Sequence, residues 1–493
     1  MASSGTLLDR SNFTTYDTIT ELWAHLGLPT NALQSLSLPD SDDHSRSGLP
    51  SSFKIGHLAQ STIALSVLTA SLFHSLRNNS SVPKVTVPLL HASLEFKSEK
   101  LYTLGGKKVK SEGGLGLIGP VQKTADGYVR IHDGFPHHVA ATLEILGLPS
   151  TAKREEINAA LLKWKSLDLE TAAINSKCVI VALRSYEEWD ALPQARFIPN
   201  IPIQLTKLSP GAPVLPPQVH READRCLRGV RVLELSRVIA APVAGRTLAA
   251  HGADVLWITS PNLPDLPGID RDLARGKRTA QLDLTTEDGR AKLTELIKNA
   301  DVFIQGYRPG SLAAKGFSPS ELVKINPSIV YASMSAYGNQ GPWGRNRGFD
   351  SIIQTGSGMN ISEAEHFGQG EPARPMPCQV LDHASGYFLA TGICAALYKR
   401  ATEGGSYEVD VSLAGTMKYL RSLGQFPGNT GFDCKVPGER EIERYLEARE
   451  SGFGELKAVT HSAAVEGFMP GWDVMPKPLG SDRAAWMDIE QSV

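Results

Sequence analysis

The sequence predicts an α/β chain: a Rossmann-like doubly wound parallel sheet joined to a smaller α+β domain. Three observations lead there. From residue 229 onward short β-branched runs alternate with helical stretches, which is the pattern of a parallel sheet covered by helices. A proline-rich segment, LSPGAPVLPPQVHREADR (208–225), separates that region from a mixed one before it. The size, 493 residues with 41% hydrophobic and 21% charged, suits two or three globular domains and not a disordered or coiled-coil chain.

Taken in order, residues 1–52 are an N-terminal extension ending in the polar loop PDSDDHSRSGLPSS (39–52). Residues 53–207 hold an apolar helix over 58–76, strand-like KVTVPLL (84–90) and GYVRI (127–131), and the helices HHVAATLEILGL and REEINAALLKW. After the linker at 208–225, residues 226–425 form the sheet domain. There GVRVLELS (229–236) and GADVLWIT (252–259) flank a small-residue helix. EDGRAKLTELIKNA, DVFIQGY, LAAKGFSPSELVKIN and SIVYASMSAYG then continue the alternation as helix, strand, helix and strand. The tail, 426–493, is punctuated by Gly and Pro and has one charged helix candidate, REIERYLEARE.

Composition narrows the function. Fifty Lys plus Arg against 52 Asp plus Glu leave a charge of −2, so no global basic field gathers nucleic acid or anionic membrane, and neither partner is expected. Five cysteines without a CxxC pair point to a reducing compartment. The first residues show neither an apolar signal core nor an Arg-rich transit pattern, and no run approaches about 18 apolar residues, so a cytoplasmic protein without a membrane span is expected. His137 and His138 lack acidic or Cys partners at ligand spacing, so no metal site is expected.

One internal repeat stands out. LDHASGYFLATGICAALYKR (381–400) lies without gaps over GHLAQSTIALSVLTASLFHS (56–75) at an offset of 325, and VDVSL (409–413) falls on VTVPL (85–89) at 324. His57 thus stands in the first copy where Asp382 stands in the second, which leaves one functional carboxylate per chain.

Several motifs each admit two readings. The turn RVIAAPVAG (237–245) carries no GxGxxG; its small residues admit a ligand at a helix start, or it is a plain strand–helix turn. The cations of ARGKR (274–278) meet a phosphate or solvate an edge, and GYRPGSLAAKGF (306–317) is open in the same way. SEGGLG (111–116) is an ordinary loop or a lid. Ser357 in GSG lacks a full GxSxG, which argues against a serine hydrolase. Asp382 caps a helix, or it is a reactive carboxylate whose anion the helix start favours, with Ala384, Ser385 and Gly386 leaving room for a ligand and GFD (348–350) on the preceding segment.

Together GVRVLELSRVIAAPVAGRTLAAHGADV, ARGKRTAQLDL, GYRPGSLAAKGF, NPSIVYASMSAYGNQGPW, RGFDSIIQTGSGM and the Asp382 helix resemble the family III CoA-transferases, the CaiB/BaiF group that includes formyl-CoA transferase and α-methylacyl-CoA racemases. Residues 98–200 resemble the smaller domain of that family, which normally follows the Rossmann-like part; the order here is rearranged, as a fused duplication that lost its first Rossmann-like part would leave it.

The resemblance implies CoA transfer from an acyl-CoA to a carboxylic acid, with coenzyme A as substrate, no tightly bound cofactor, and a homodimer. It places Asp382 at the nucleophile, Gly113, Gly114 and Gly116 in the loop that shields the intermediate, and Ile239, Ala240, Lys277 and Tyr307 at CoA contacts. Thr259, Ser260 and Ala274 depart from the family pattern. In the racemase branch a GHD motif supplies a proton-transferring His; here Phe349 replaces it, so transfer is expected over racemisation, with a racemase-like enzyme or a CoA-binding pseudoenzyme as the alternatives.

Overall fold

The computed structural model describes residues 7–109, 118–176, 178–220 and 223–487. Seven strands make its central sheet: β1 (Ile203–Ser209), β2 (Arg231–Leu235), β3 (Asp254–Thr259), β4 (Lys277–Gln281), β5 (Val302–Gln305), β6 (Val330–Ser335) and β7 (Ser406–Ser412). Their order is β4-β3-β2-β5-β6-β7-β1. The strands from β2 to β7 run parallel, with Val232 of β2 opposite both Val255 and Val302, and β1 closes the edge antiparallel to β7. The sheet therefore draws on the chain on both sides of the proline-rich segment.

Both faces of the strands are apolar. Val232, Val302, Ile304 and Val330 pack to one side, and Leu233, Leu235, Phe303 and Tyr331 to the other. Strands buried on both faces suit a parallel sheet with helices above and below. On the first side lie α1 (Ile55–Asn78), α2 (Ala240–Ala250) and α4 (Val380–Glu403), with α4 against both α1 and α2; the short α3 (Asp350–Gly356) precedes α4 and α5 (Leu413–Ser422) follows β7. Helices Glu287–Ile297 and Pro319–Ile325 lie on the other side, where Leu293, Leu296 and Leu322 are buried.

The repeat reappears as structure. The first and last residues of α1 and α4 are each 325 positions apart, and the helices starting at Leu89 and Leu413 follow at 324. The two long helices pack on each other. By length and composition both suit a membrane span, yet the apolar stretch of each is buried within the fold. The strand expected over 84–90 shrinks to Val85–Thr86, because Pro88 brings no N–H to a ladder and a helix starts at Leu89.

A smaller unit precedes the sheet. Strands Val121–Lys123, Tyr128–Ile131 and Ile180–Ala182 pair antiparallel beneath helices Pro136–Leu146, Arg154–Leu161 and Ser166–Ile174. The tail differs from the expected helix: only Glu439–Ile442 is α-helical, while Leu446–Ser451 forms a hairpin with Gly454–Val459. Cross-strand pairing of that hairpin with Thr103–Leu104 overrides the helical propensity of REIERYLEARE.

A fully buried ion cluster joins these parts. Asp272 accepts from Arg246 at 2.5 Å, from Arg275 at 2.6 Å and from the Ser98 hydroxyl at 2.7 Å, and Arg275 also donates to the Val459 carbonyl at 2.6 Å. The cations of ARGKR are all paired: Arg275 with Asp272 and Lys277 with Glu234, both fully buried, and the half-buried Arg278 with Asp254. Removing one partner strands the others without water. Asp272→Ala is expected to cost about 3–5 kcal/mol, read as a lowered midpoint in urea unfolding followed by circular dichroism.

Candidate active site

In a sheet of this order the strand connections diverge to opposite sides between β2 and β5, and a crevice opens at their C-terminal ends. A cavity of about 360 Å³ lies there, lined by Arg237, Val238, Ile239, Ala240 and Ala241 after β2, by Gly306, Tyr307 and Arg308 after β5, and by Asp382. Ile239, Ala240, Tyr307 and Asp382 are therefore brought together. Lys277 is not: its ammonium is fully buried beneath α2, 2.9 Å from Glu234 and 2.8 Å from the Pro242 carbonyl. Gly113, Gly114 and Gly116 lie outside the described residues.

The turn after β2 is strained. Val238 has φ of 71°, a left-handed conformation that a β-branched side chain adopts only when its surroundings impose it. This turn delivers Ile239 and Ala240 to the start of α2, at the cavity wall. The small residues after Asp382 do not leave ligand space. A Cβ on Gly386 would meet the Ala240 carbonyl oxygen at 2.6 Å, so their smallness lets α4 approach α2 and brings Asp382 beside the turn.

Asp382 sits in the first turn of α4, 6% exposed. Among the described residues nothing donates a hydrogen bond to its carboxylate. Asp350, at the start of α3, accepts the backbone N–H groups of Leu381 at 2.7 Å and Asp382 at 3.1 Å, and the Gln354 side chain steadies its other oxygen. Burial pushes Asp350 up to about 6. Burial, then the neighbouring Asp350 and Glu99 carboxylates, hold Asp382 well above the usual carboxylate range.

Aromatic and imidazole rings form one wall. Phe349 stacks on His132 with ring centres 3.6 Å apart, and His132 Nδ1 lies 3.1 Å from His138 Nδ1. Burial and the adjacent His137 push His138 down to about 3, and burial holds His132 well below the ordinary imidazole value, so both rings are neutral at physiological pH. Among the described residues no group of three His, Cys, Asp or Glu is arranged to hold a metal ion.

His57, the first-copy counterpart of Asp382, has both ring nitrogens engaged: Nε2 is 2.8 Å from Thr18 Oγ1 and Nδ1 is 3.4 Å from Asp42. It is buried against these partners. The sequence motifs did not reveal Glu99, whose Oε2 is 2.9 Å from His383 Nε2, nor the support that Asp350 gives the backbone 31 residues downstream.

This is a Rossmann-like domain with a ligand crevice and a buried carboxylate at a helix start. Residues 227–433 match the model of CoA-transferase family III. The acetyl-coenzyme A transferase nodX of Hypoxylon pulicicidum is 35% identical over 222 residues, 44% of this chain and 37% of that protein. The formyl-CoA:oxalate CoA-transferase of Streptomyces coelicolor is 33% identical over 282 residues, 54% and 64% of the two chains. A crystal structure of Rv3272 from Mycobacterium tuberculosis is similar with a TM-score of 0.37 and 31% identity, over 40% of this chain and 56% of that one. The chain spans about half the length of the first curated relatives it matches.

The close approach of α4 to α2 gives a direct test. Gly386→Ala forces the Ala240 carbonyl away and is expected to cost about 1–3 kcal/mol in thermal or urea unfolding, whereas Ala390→Gly on the same helix should cost only about 1 kcal/mol.

Proposed function

We propose that the protein is a CoA-transferase that moves CoA from an acyl-CoA to a carboxylic acid through Asp382. The observation that carries this reading is the buried carboxylate of Asp382, to which none of the described residues donates a hydrogen bond, at the wall of the switch-point cavity next to the start of α2. Arg237, Arg308 and Arg347 line the same cavity and suit the phosphates of CoA.

In this mechanism an Asp382 oxygen attacks the thioester carbonyl, the C–S bond breaks and CoA leaves as thiolate, giving a mixed anhydride. The thiolate then attacks the aspartyl carbonyl, and the donor's carboxylate departs to leave an aspartyl-CoA thioester. The acceptor carboxylate attacks that carbonyl and expels the thiolate again. Attack of the thiolate on the acceptor's carbonyl releases the new acyl-CoA and restores Asp382. No net proton moves, so the neutral rings of His132 and His138 are wall rather than acid or base. Phe349, stacked against His132, offers no proton-transferring group, which favours transfer over racemisation.

The chain's order and surroundings are part of the proposal. The matching bounds of α1 and α4 support a fused duplication, and five free, buried cysteines suit a cytoplasmic protein. We further propose a homodimer, as in the family that the chain resembles.

Two measurements test the reaction. Incubation with acyl-CoA followed by hydroxylamine or borohydride should modify Asp382, and Asp382→Asn should abolish both adduct and turnover; turnover surviving that change overturns the mechanism. Because the attacking group is the carboxylate, the rate should rise as Asp382 ionises. Removing a neighbouring negative charge eases that ionisation, so Asp350→Asn should move the acid limb of the pH–rate profile to lower pH.

A further inference from the structure

The first cavity has a side arm of about 50 Å³, and Arg308, Asn346 and Arg347 line both. A water needs roughly 10–15 Å³ of free space, so the arm holds about four waters, or one group of the size of a phosphate. Glu170 and Val181 of the smaller unit form one side of the arm, and Arg345 forms part of the other. Asp382 lines the first cavity and not the arm, so whatever enters the arm lies away from the reacting carboxylate.

Three guanidinium groups meet there. Arg345 reaches to the turn after β5, where a Cβ on Gly310 would stand 3.8 Å from its Nη2, two residues beyond Arg308. Arg308 and Arg345 are exposed; Arg347 is half-buried and donates to the Ser176 carbonyl at 3.0 Å. Burial, then the neighbouring Arg308, pushes the Arg347 guanidinium below its ordinary value. Among the described residues none of the three forms an ion pair. The one carboxylate lining the arm, Glu170, has its oxygens taken by Arg184 at 2.5 and 2.7 Å and by the Ala182 N–H at 2.7 Å.

Like charges gathered without a counter-charge repel, and an anion set among them is attracted by all three. A phosphate group brings up to two charges and three acceptor oxygens, which suits three guanidinium forks better than a single carboxylate does. The lysine that the family resemblance places at CoA cannot serve instead, since Lys277 is buried against Glu234.

We propose that this arm is a phosphate site, in which Arg308, Arg345 and Arg347 hold a phosphate of the ligand that fills the first cavity and Arg345 is the residue that selects for it. The inference rests on the CoA-transferase reading for the identity of that ligand, and adds to it the residues by which this chain reads the phosphate. Free pyrophosphate has the same chemistry, and separate titrations distinguish the sources.

The test is isothermal titration calorimetry on the full chain with CoA, dephospho-CoA and pyrophosphate in turn. Arg345 is exposed and lines the arm but not the first cavity, so Arg345→Gln leaves the fold and that cavity in place. Expected is a loss of about tenfold or more in CoA affinity, the usual weight of a charge-assisted bond. Arg440→Gln, which removes an exposed charge outside both cavities, should leave the affinity nearly unchanged. If dephospho-CoA binds Arg345→Gln as well as it binds the wild type, the arm holds the 3′-phosphate; if it suffers the same loss as CoA, the arm holds the pyrophosphate of CoA. CoA bound equally by the wild type and Arg345→Gln overturns the phosphate site, while the transferase reading stands or falls separately on the Asp382 adduct. If the wild type binds no CoA, the transferase reading fails and pyrophosphate decides alone: binding that is lost in Arg345→Gln keeps the arm as a phosphate site, and equal or absent binding removes it.

Discussion

The cluster centred on Asp272 is the constraint on which the rest of the structure leans. One buried carboxylate pairs with two guanidinium groups and a hydroxyl drawn from different parts of the chain, and Arg275 extends the bonding to the hairpin of the tail. Charges so deep are tolerable only when each has its partners, so the parts assemble together or not at all. The consequence reaches the site. Ser98 in this cluster is followed by Glu99, which holds His383, which is the next residue after Asp382. A short series of bonded groups thus runs from the centre of the ion cluster to the neighbour of Asp382.

The site itself concentrates unfavourable terms. Asp382, Asp350 and Glu99 are three buried carboxylates whose charges oppose one another. Val238 occupies a backbone conformation it would not choose alone. Neither cost is explained by packing, and both fall at the cavity wall, where a reactive group with few hydrogen bonds and a closely approached turn are useful. The rest of the fold carries these terms through the apolar sheet and the long buried helices around it.

Much of this was legible in the sequence. Alternating runs from residue 229 announced the doubly wound sheet, because strands apolar on both faces read as short β-branched stretches bounded by helices. Ile239, Ala240, Tyr307 and Asp382 meet at one cavity because they follow strand ends or begin helices, positions that a sequence reader can locate. The burial of Lys277 against Glu234 on another strand was not legible, since a lysine in a basic run is ordinarily at the surface. Glu99 was invisible for a related reason: its importance depends on His383, far along the chain. The helix at 440–450 gave way to a strand because it pairs with 454–459, which a tertiary contact with residues 103–104 anchors, and this outweighs local propensity.

The pairing of α1 with α4 also bears on how the chain is made. Val380 lies 302 residues beyond Asn78, so a buried helix near the N-terminus is synthesised long before its partner. At the usual pace of translation, about 5–20 residues per second, α1 waits roughly 15–60 s with its apolar surface uncovered. That interval is far longer than hydrophobic collapse, which takes microseconds. The nascent chain therefore spends its synthesis with an exposed adhesive segment, and the cell must keep that segment from the wrong partners until the last quarter of the sequence emerges.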